Sequence, residues 1–352
     1  MWKLANGARA GMIGESRATV PIPAPLTPHR RTLTMSTLID RRRFLATSAA
    51  ATAAFPLAIS PSAAAQPTTP AKPLPTVGIA TFGFPGRTNA ELAKELAGER
   101  FRTVQLFLSQ SDSLYWKYND RSDVSDLSPE RCRAIADAYR SVGISIHSLG
   151  VYTNLIHPDA SERKANLAYF EAMMRIARAM DVGTLITEAG HYHANVPEPV
   201  PHHFQEAVWP TMVQTGKELA RCAESHGVTV LFEPYYQGFL ASAKRTRLFL
   251  EEVDSPHIRA LLDPANLLEV NDLDEMFAQL QLWIGCLHAK DRKLHVVRGV
   301  PAGQGDLDYK RLVTLAAERT PAAPLILEYV GPDDYRQARD HLEGVMQAVF
   351  NA

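Results

Sequence analysis

Short runs of apolar and β-branched residues recur along most of the chain, each followed by a longer stretch whose apolar positions return every three or four residues. The runs TVGIATF (76–82), FRTVQLF (101–107), GISIHSL (143–149), VGTLITE (182–188), VTVLFE (228–233), IRALLD (258–263), WIGCLH (283–288) and PLILEY (324–329) predict eight strands. The stretches between them, such as TNAELAKELAGE, SPERCRAIADAYRSVG and SERKANLAYFEAMMRIARAM, carry the helical period. Several open on Ser, Thr or Asp as a cap and finish at Gly, as from Ser128 to Gly143.

Strands that are apolar throughout, each followed by a helix, indicate a parallel sheet covered by helices. Eight such units in about 280 residues match an α/β fold of the (β/α)8 TIM barrel type in count and size. A doubly wound sheet would show a Gly-rich first turn, and FGFPGRTN contains no G-x-G-x-x-G.

In such a barrel the chemistry gathers where the strands end. The run at 228–233 ends in Glu233, the next in Asp263, the next in His288, and the last carries Glu328 as its penultimate residue. Acidic side chains are seldom fully buried unless paired or bound to a metal, and three carboxylates at one depth repel each other unless a cation lies among them. Two Glu, one Asp and one His form a hard, oxygen-rich set suited to one divalent metal ion, with Mn²⁺, Mg²⁺ or Co²⁺ favoured and Zn²⁺ also compatible. An ion-pair network without metal is the competing reading.

The ordered set LFEP with Glu233, LLDPAN with Asp263, HAKD with His288, PAGQGDLDY, and ILEY with Glu328 resembles the xylose isomerase-like sugar phosphate isomerase/epimerase superfamily, from residue 76 to about 350. The resemblance implies a barrel with one divalent metal held by Glu233, Asp263, His288 and Glu328, with Glu233 and Glu328 also acting as the acid/base pair. Where many members carry a His three residues after the Asp, this chain has Asn266, which can hydrogen-bond a substrate hydroxyl but cannot serve as a proton carrier or as a metal ligand of the same kind.

Lys290 lies two residues beyond His288 and so on the same side of its strand, placed to stabilise a developing oxyanion or to hold Glu328. Asp291 and Arg292 are expected to begin a loop, with Arg292 a candidate substrate contact. His147 and Glu188 close strands three and four at the same mouth, and both are candidate substrate contacts. His191 and His193 fall in the long loop EAGHYHANVPEP, and His191 is a further contact candidate. NLIHPD, with Asn154 and His157, reads as a loop covering the site, and GQGDLD as a turn and helix cap. Phe82, Trp209, Tyr235 and Tyr236 are candidates for stacking on a sugar face.

The chemistry of this set is removal of a proton next to a carbonyl, with an enediolate stabilised by the metal and two carboxylates serving as base and acid. Taken with the resemblance, it implies a sugar isomerase or epimerase. A lyase or dehydratase acting on a keto-sugar or glycoside derivative shares the first step. A non-catalytic sugar-binding protein and an endonuclease-like hydrolase are the readings from other classes.

Charge and composition narrow the partners. With 352 residues, 46% hydrophobic content and net charge −1, the chain offers no basic face for nucleic acid; a small-molecule sugar is the partner that the resemblance implies. The dense arginines lie near the start, where Arg41, Arg42, Arg43, Phe44 and Leu45 fit the twin-arginine pattern R-R-x-F-L. An Ala-rich stretch runs to Ser60, and Ala63 and Ala65 suit cleavage before Gln66. Met35 stands where such signals begin, so residues 1–34 are expected to be a mis-assigned start that takes no part in the fold. The expected organisation is residues 1–65 as extension and signal peptide, 66–75 as a Pro-rich linker, and 76–352 as the barrel. The expected location is periplasmic or secreted, with no stable membrane association after signal cleavage, and export favours free, oxidised or glycosidic sugars over phosphorylated ones. A homo-oligomer is compatible with a barrel of this kind. Cys132, Cys222 and Cys286 are too scattered for a disulfide framework and read as small buried hydrophobes.

Overall fold

Local chemistry starts the helices. Thr88 forms a reciprocal capping box with Glu91 ahead of α1 (Asn89–Gly98). Ser128 caps α2 (Pro129–Arg140), which has Pro at its first position and ends just before Gly143 at φ 79°. Asp159 caps α3 (Ala160–Ala179), Ser242 caps α5 (Ala243–Val253), and Asp308 caps α8 (Tyr309–Arg319). α4 (Trp209–His226) stops at Gly227, which takes the left-handed conformation. The short α6 (Pro264–Leu267) is capped by Asp263, α7 (Leu273–Leu280) by Asp272, and α9 (Tyr335–Phe350) closes the chain.

In this computed structural model the described residues are 75–192, 206–296 and 298–351. The twin-arginine segment, the cleavage site, nearly all of the Pro-rich linker and His193 lie outside them.

The strands are β1 (Val77–Ala80), β2 (Thr103–Leu106), β3 (Ser145–Gly150), β4 (Thr184–Thr187), β5 (Thr229–Phe232), β6 (Ile258–Leu262), β7 (Ile284–Arg292), β8 (Gly299–Pro301) and β9 (Leu325–Leu327). Eight of them pair in parallel in the order β6-β5-β4-β3-β2-β1-β9-β7, and β6 pairs with β7 to close the ring. Each apolar run of the sequence supplies one barrel strand, and the eighth run is β9. β8 is an addition, paired antiparallel to the outer half of β7, with Lys290 opposite Pro301 and Arg292 opposite Gly299.

That hairpin corrects one expectation. β7 does not stop at His288 but runs to Arg292, so Asp291 and Arg292 are buried strand residues and not the start of a loop. Their charges are absorbed locally. Asp291 accepts hydrogen bonds from the backbone N–H groups of Arg292, Gly303 and Leu307, and thereby anchors the GQGD turn. Gly305 lies so close to the Asp291 carboxylate and the Arg292 carbonyl that a Cβ there would collide with both.

Two apolar layers flank the sheet. The larger lies between strands and helices and includes Leu92, Tyr139, Phe170, Phe249, Leu312 and Leu342. The smaller fills the barrel with Ala80, Ile186, Leu231, Leu261, Cys286 and Ile326, topped by Phe107 and Tyr152. Cys286 is therefore an interior hydrophobe, and burial pushes its thiol up to about 12. Strand alternation then turns His288, two residues on, toward the same interior, one layer higher.

Candidate active site

The four strand-end residues meet above the inner layer. Glu233, Asp263 and Glu328 each follow directly on β5, β6 and β9, and His288 sits midway along β7. The backbone ladder carries one residue further at Glu233, whose N–H donates to the Thr187 carbonyl at 2.8 Å. Asp263 is oriented by capping α6, where its Oδ1 accepts from the Asn266 N–H and its Oδ2 stays turned to the interior.

All four are buried, and one ligand atom from each lies within 4.8 Å of the others. His288 Nδ1 is 3.4 Å from Glu233 Oε1, 3.6 Å from Asp263 Oδ2 and 3.4 Å from Glu328 Oε2. These separations exceed good hydrogen bonds and approach the ~3.0–3.4 Å between neighbouring ligands that each sit about 2.1 Å from one ion. Nδ1 has no hydrogen-bond partner, whereas Nε2 pairs with Gln105 Oε1 at 2.8 Å. With Nε2–H donated to Gln105, the lone pair of Nδ1 faces the carboxylates, which is how a metal-bound imidazole is held. The donor set thus fits a divalent cation of the hard, oxygen-preferring kind.

Lys290 reaches the same cluster. Its ammonium lies 2.5 Å from Asp263 Oδ2 in an ion pair, and it donates to Glu328 Oε2 at 2.9 Å and to Asn266 Oδ1 at 3.0 Å. Burial works against its charge, but Asp263 and Glu328 hold its pKa well above the usual lysine value. Burial likewise disfavours charged His288, and Glu328 and Glu233 outweigh it, so without a metal the imidazole binds a proton. Glu328 is held well below the usual carboxylate range, because His288 and Lys290 overcome the effect of burial. Glu233 accepts from the Tyr152 hydroxyl at 2.8 Å and from Asn266 Nδ2 at 2.8 Å. Asn266 therefore bridges Lys290 to Glu233.

A cavity of about 330 Å³ opens over this cluster, and its lining includes Glu188, Glu233, Asn266, Lys290, Arg292 and Glu328. Glu188, just past β4, accepts from the Tyr118 hydroxyl at 2.7 Å. Arg292 borders the cavity, but its Nε and Nη1 donate to the carbonyls of Ala265 and Val296. His191 stands beside the cavity lining, its backbone clasped by the Asn154 amide at 2.7 and 3.0 Å and its ring 6.2 Å from that of Tyr118. His147 is placed differently from its expected position. β3 continues to Gly150, so His147 lies within the strand, next to Ser148 Oγ at 3.1 Å and influenced by the Gly285 backbone, and outside the cavity lining. Of the four aromatics considered from sequence, Phe82 and Tyr235 line the cavity. Tyr236 packs on Arg292, and Trp209 stacks on Phe239 away from it.

Gln105 and Tyr152 were not legible as site residues. Gln105 interrupts the apolar run TVQLF, the one signal the sequence offered, and in the structure it sits at a register shift in the β2–β3 pairing. Tyr152 lies two residues past β3 and reads as an ordinary loop aromatic.

A closed parallel (β/α)8 barrel with buried carboxylates and an imidazole at its C-terminal mouth belongs to the class of barrels that carry their chemistry on the strand ends. The chain belongs to the xylose isomerase-like TIM barrel family, whose description residues 90–345 match. It is 25% identical over 246 residues to the L-ribulose-5-phosphate 3-epimerase UlaE of Escherichia coli (strain SMS-3-5 / SECEC), covering 68% of this chain and 80% of that protein. Among solved structures, a D-tagatose 3-epimerase-like protein superposes with TM-score 0.64 at 15% identity, covering 78% of this chain and 98% of the other. A xylose isomerase-like TIM barrel protein from Mycobacterium smegmatis in complex with magnesium gives TM-score 0.58 at 16% identity, over 79% and 97% of the two chains. At these identities the structural likenesses speak for the fold.

Proposed function

We propose that this protein is a metal-dependent sugar isomerase or epimerase that removes a proton next to a carbonyl. The observation that carries the reading is the convergence of Glu233, Asp263, Glu328 and the unpartnered Nδ1 of His288 in one buried cluster, beneath a cavity that Glu233 and Glu328 help to line. The similarity to a sugar epimerase over most of both chains supports it.

Glu233, Asp263, His288 and Glu328 would hold one divalent cation, which supplies Lewis-acid stabilisation of the charge that develops on the substrate's carbonyl oxygen. The rest of the chemistry belongs to the chain. His288 and Lys290 together hold Glu328 in its ionised form, with Lys290 donating to it directly, so this carboxylate is available as the base. Glu233, fixed by Tyr152 and Asn266, is the partner that returns one. Return to the same carbon from the other face inverts its configuration, and return to the neighbouring carbon moves the carbonyl. Lys290 also brings a fixed positive charge to the enediolate, already paid for by the folded scaffold.

The test is deuterium uptake from D₂O at the carbon next to the carbonyl, over a panel of keto-sugars, with metal content measured in parallel. About one divalent ion per chain and exchange that disappears in both Glu233→Gln and Glu328→Gln is the expected result. Lys290→Met is expected to slow turnover by about 100-fold or more while metal content holds. Absence of exchange with every substrate would sink the mechanism.

A further inference from the structure

The cavity has a second half that proton transfer leaves largely unused, Tyr152 alone of its rings donating to Glu233. The metal-type ligands and Lys290 all come from the β5–β9 side, whereas the opposite wall is aromatic. Phe82 follows β1, Phe107, Trp116 and Tyr118 follow β2, Tyr152 follows β3, and Tyr329 follows Glu328. The rings form one continuous surface. Tyr329 meets Phe82 at 6.1 Å, Phe82 stacks on Trp116 at 6.1 Å, Phe107 stacks on Tyr152 at 5.8 Å, and Tyr152 meets Tyr118 at 6.0 Å.

The two ends of this wall are open to solvent, with Tyr118 49% and Tyr329 46% exposed. Tyr329 is also held at φ 57°, in the left-handed region that side chains other than glycine's rarely occupy, with its ring 4.4 Å over the Lys290 ammonium. Strain retained by an exposed aromatic beside a metal-type ligand marks a ligand contact and not core packing.

The same cavity is poorly built for a phosphate. Among the described lining residues the cations are Lys290 and Arg292. The three N–H bonds of Lys290 are matched by Asp263, Glu328 and Asn266. Arg292 donates to two carbonyls, is 2% exposed in its side chain, and has its guanidinium face on the Tyr236 ring at 5.0 Å. Against these stands Glu188, outside the metal-type cluster, whose carboxylate repels a group carrying a charge of about −2. A volume of about 330 Å³ lies within the range that takes more than a bare small sugar.

Resting on the sugar isomerase or epimerase reading above, we propose that the substrate is an unphosphorylated sugar bearing a planar, apolar substituent, and that the wall from Tyr329 through Phe82, Trp116 and Tyr152 to Tyr118 binds that substituent. The sugar ring then lies over the Glu233–Glu328 pair, and the substituent stacks across the rings.

The experiment measures binding to the metal-loaded protein by calorimetry, with phenyl and methyl β-glucopyranoside as one pair of probes and L-ribulose 5-phosphate and L-ribulose as another. Phenyl is expected to bind about tenfold more tightly than methyl, as two aromatic contacts would give. The phosphate is expected to bring no gain. Tyr118→Ala, at a half-exposed position where the core is untouched, and Trp116→Ala are each expected to bring the phenyl-to-methyl ratio toward one. Equal binding of the two glucosides, a preference for the phosphorylated sugar, or a ratio unmoved in both variants would overturn the proposal. A phenyl preference that persists while no keto-sugar exchanges deuterium removes the isomerase reading and keeps the aromatic subsite. Exchange that is fastest with phosphorylated sugars does the reverse.

Discussion

His288 presents one nitrogen to three carboxylates and commits the other to Gln105, so the role of the imidazole depends on a residue three strands away in the ring. The Gln105 carbonyl fixes which nitrogen carries the proton, and with it the direction of the lone pair. Gln105→Leu is expected to weaken divalent metal affinity by about 10- to 100-fold, read by metal titration, with the unfolding midpoint of the metal-free protein little changed. An unchanged metal affinity would remove Gln105 from the site. Asn266 shows the opposite lesson. Its amide joins Lys290 to Glu233, and it thereby spans the two ends of the proton-transfer system with a group that holds but does not titrate.

Among the elements, the β7–β8 hairpin does most to shape the polar half of the cavity. Asp291 and Arg292 read as the start of a loop because their charges follow that of Lys290 directly, and nothing local reveals that β8 covers all three. Each charge finds a partner distant in sequence: Asp263 for Lys290, the Leu307 N–H for Asp291, the Ala265 carbonyl for Arg292. Gly299 on β8 packs on the stem of Lys290, and a Cβ there would fall 2.8 Å from Lys290 Cδ. Since the Lys290 ammonium is pinned by three acceptors, the stem cannot yield without dragging the charge from Glu328. Gly299→Ala is expected to cost about 1–3 kcal/mol in urea unfolding and to lower turnover further than that loss of folded protein explains. Full activity in this variant would show that Lys290 tolerates displacement.

For the whole molecule, barrel closure draws into the strand, half-buried, a histidine that the sequence places at the mouth. Desolvation inside the barrel lowers His147 to about 4, the Gly285 backbone acting in the opposite direction and His288 adding to the fall. The unfolded imidazole titrates near about 6.5, so between these values the unfolded chain takes up a proton that the folded chain refuses. The stability this represents is complete above the unfolded value and is lost as pH falls toward the folded one. In chelator, wild type is expected to lose about 2 kcal/mol more than His147→Asn between about pH 7 and pH 5, measured by urea unfolding at each pH. Equal losses would show that His147 titrates freely in the fold. The sequence by itself determined the eight strands, the alternation with helices, the caps at Ser128 and Asp308 and the four residues at the strand ends. Those depend on periodicity and on the side chain of each position, which are local. Only the tertiary structure decided that Gln105 orients His288, that Tyr152 and Asn266 fix Glu233, that His147 lies inside, and that aromatic residues from the first three strands face the carboxylates of the last four. These facts depend on which strands become neighbours when the ring closes and on how far each strand extends, and no local pattern encodes either.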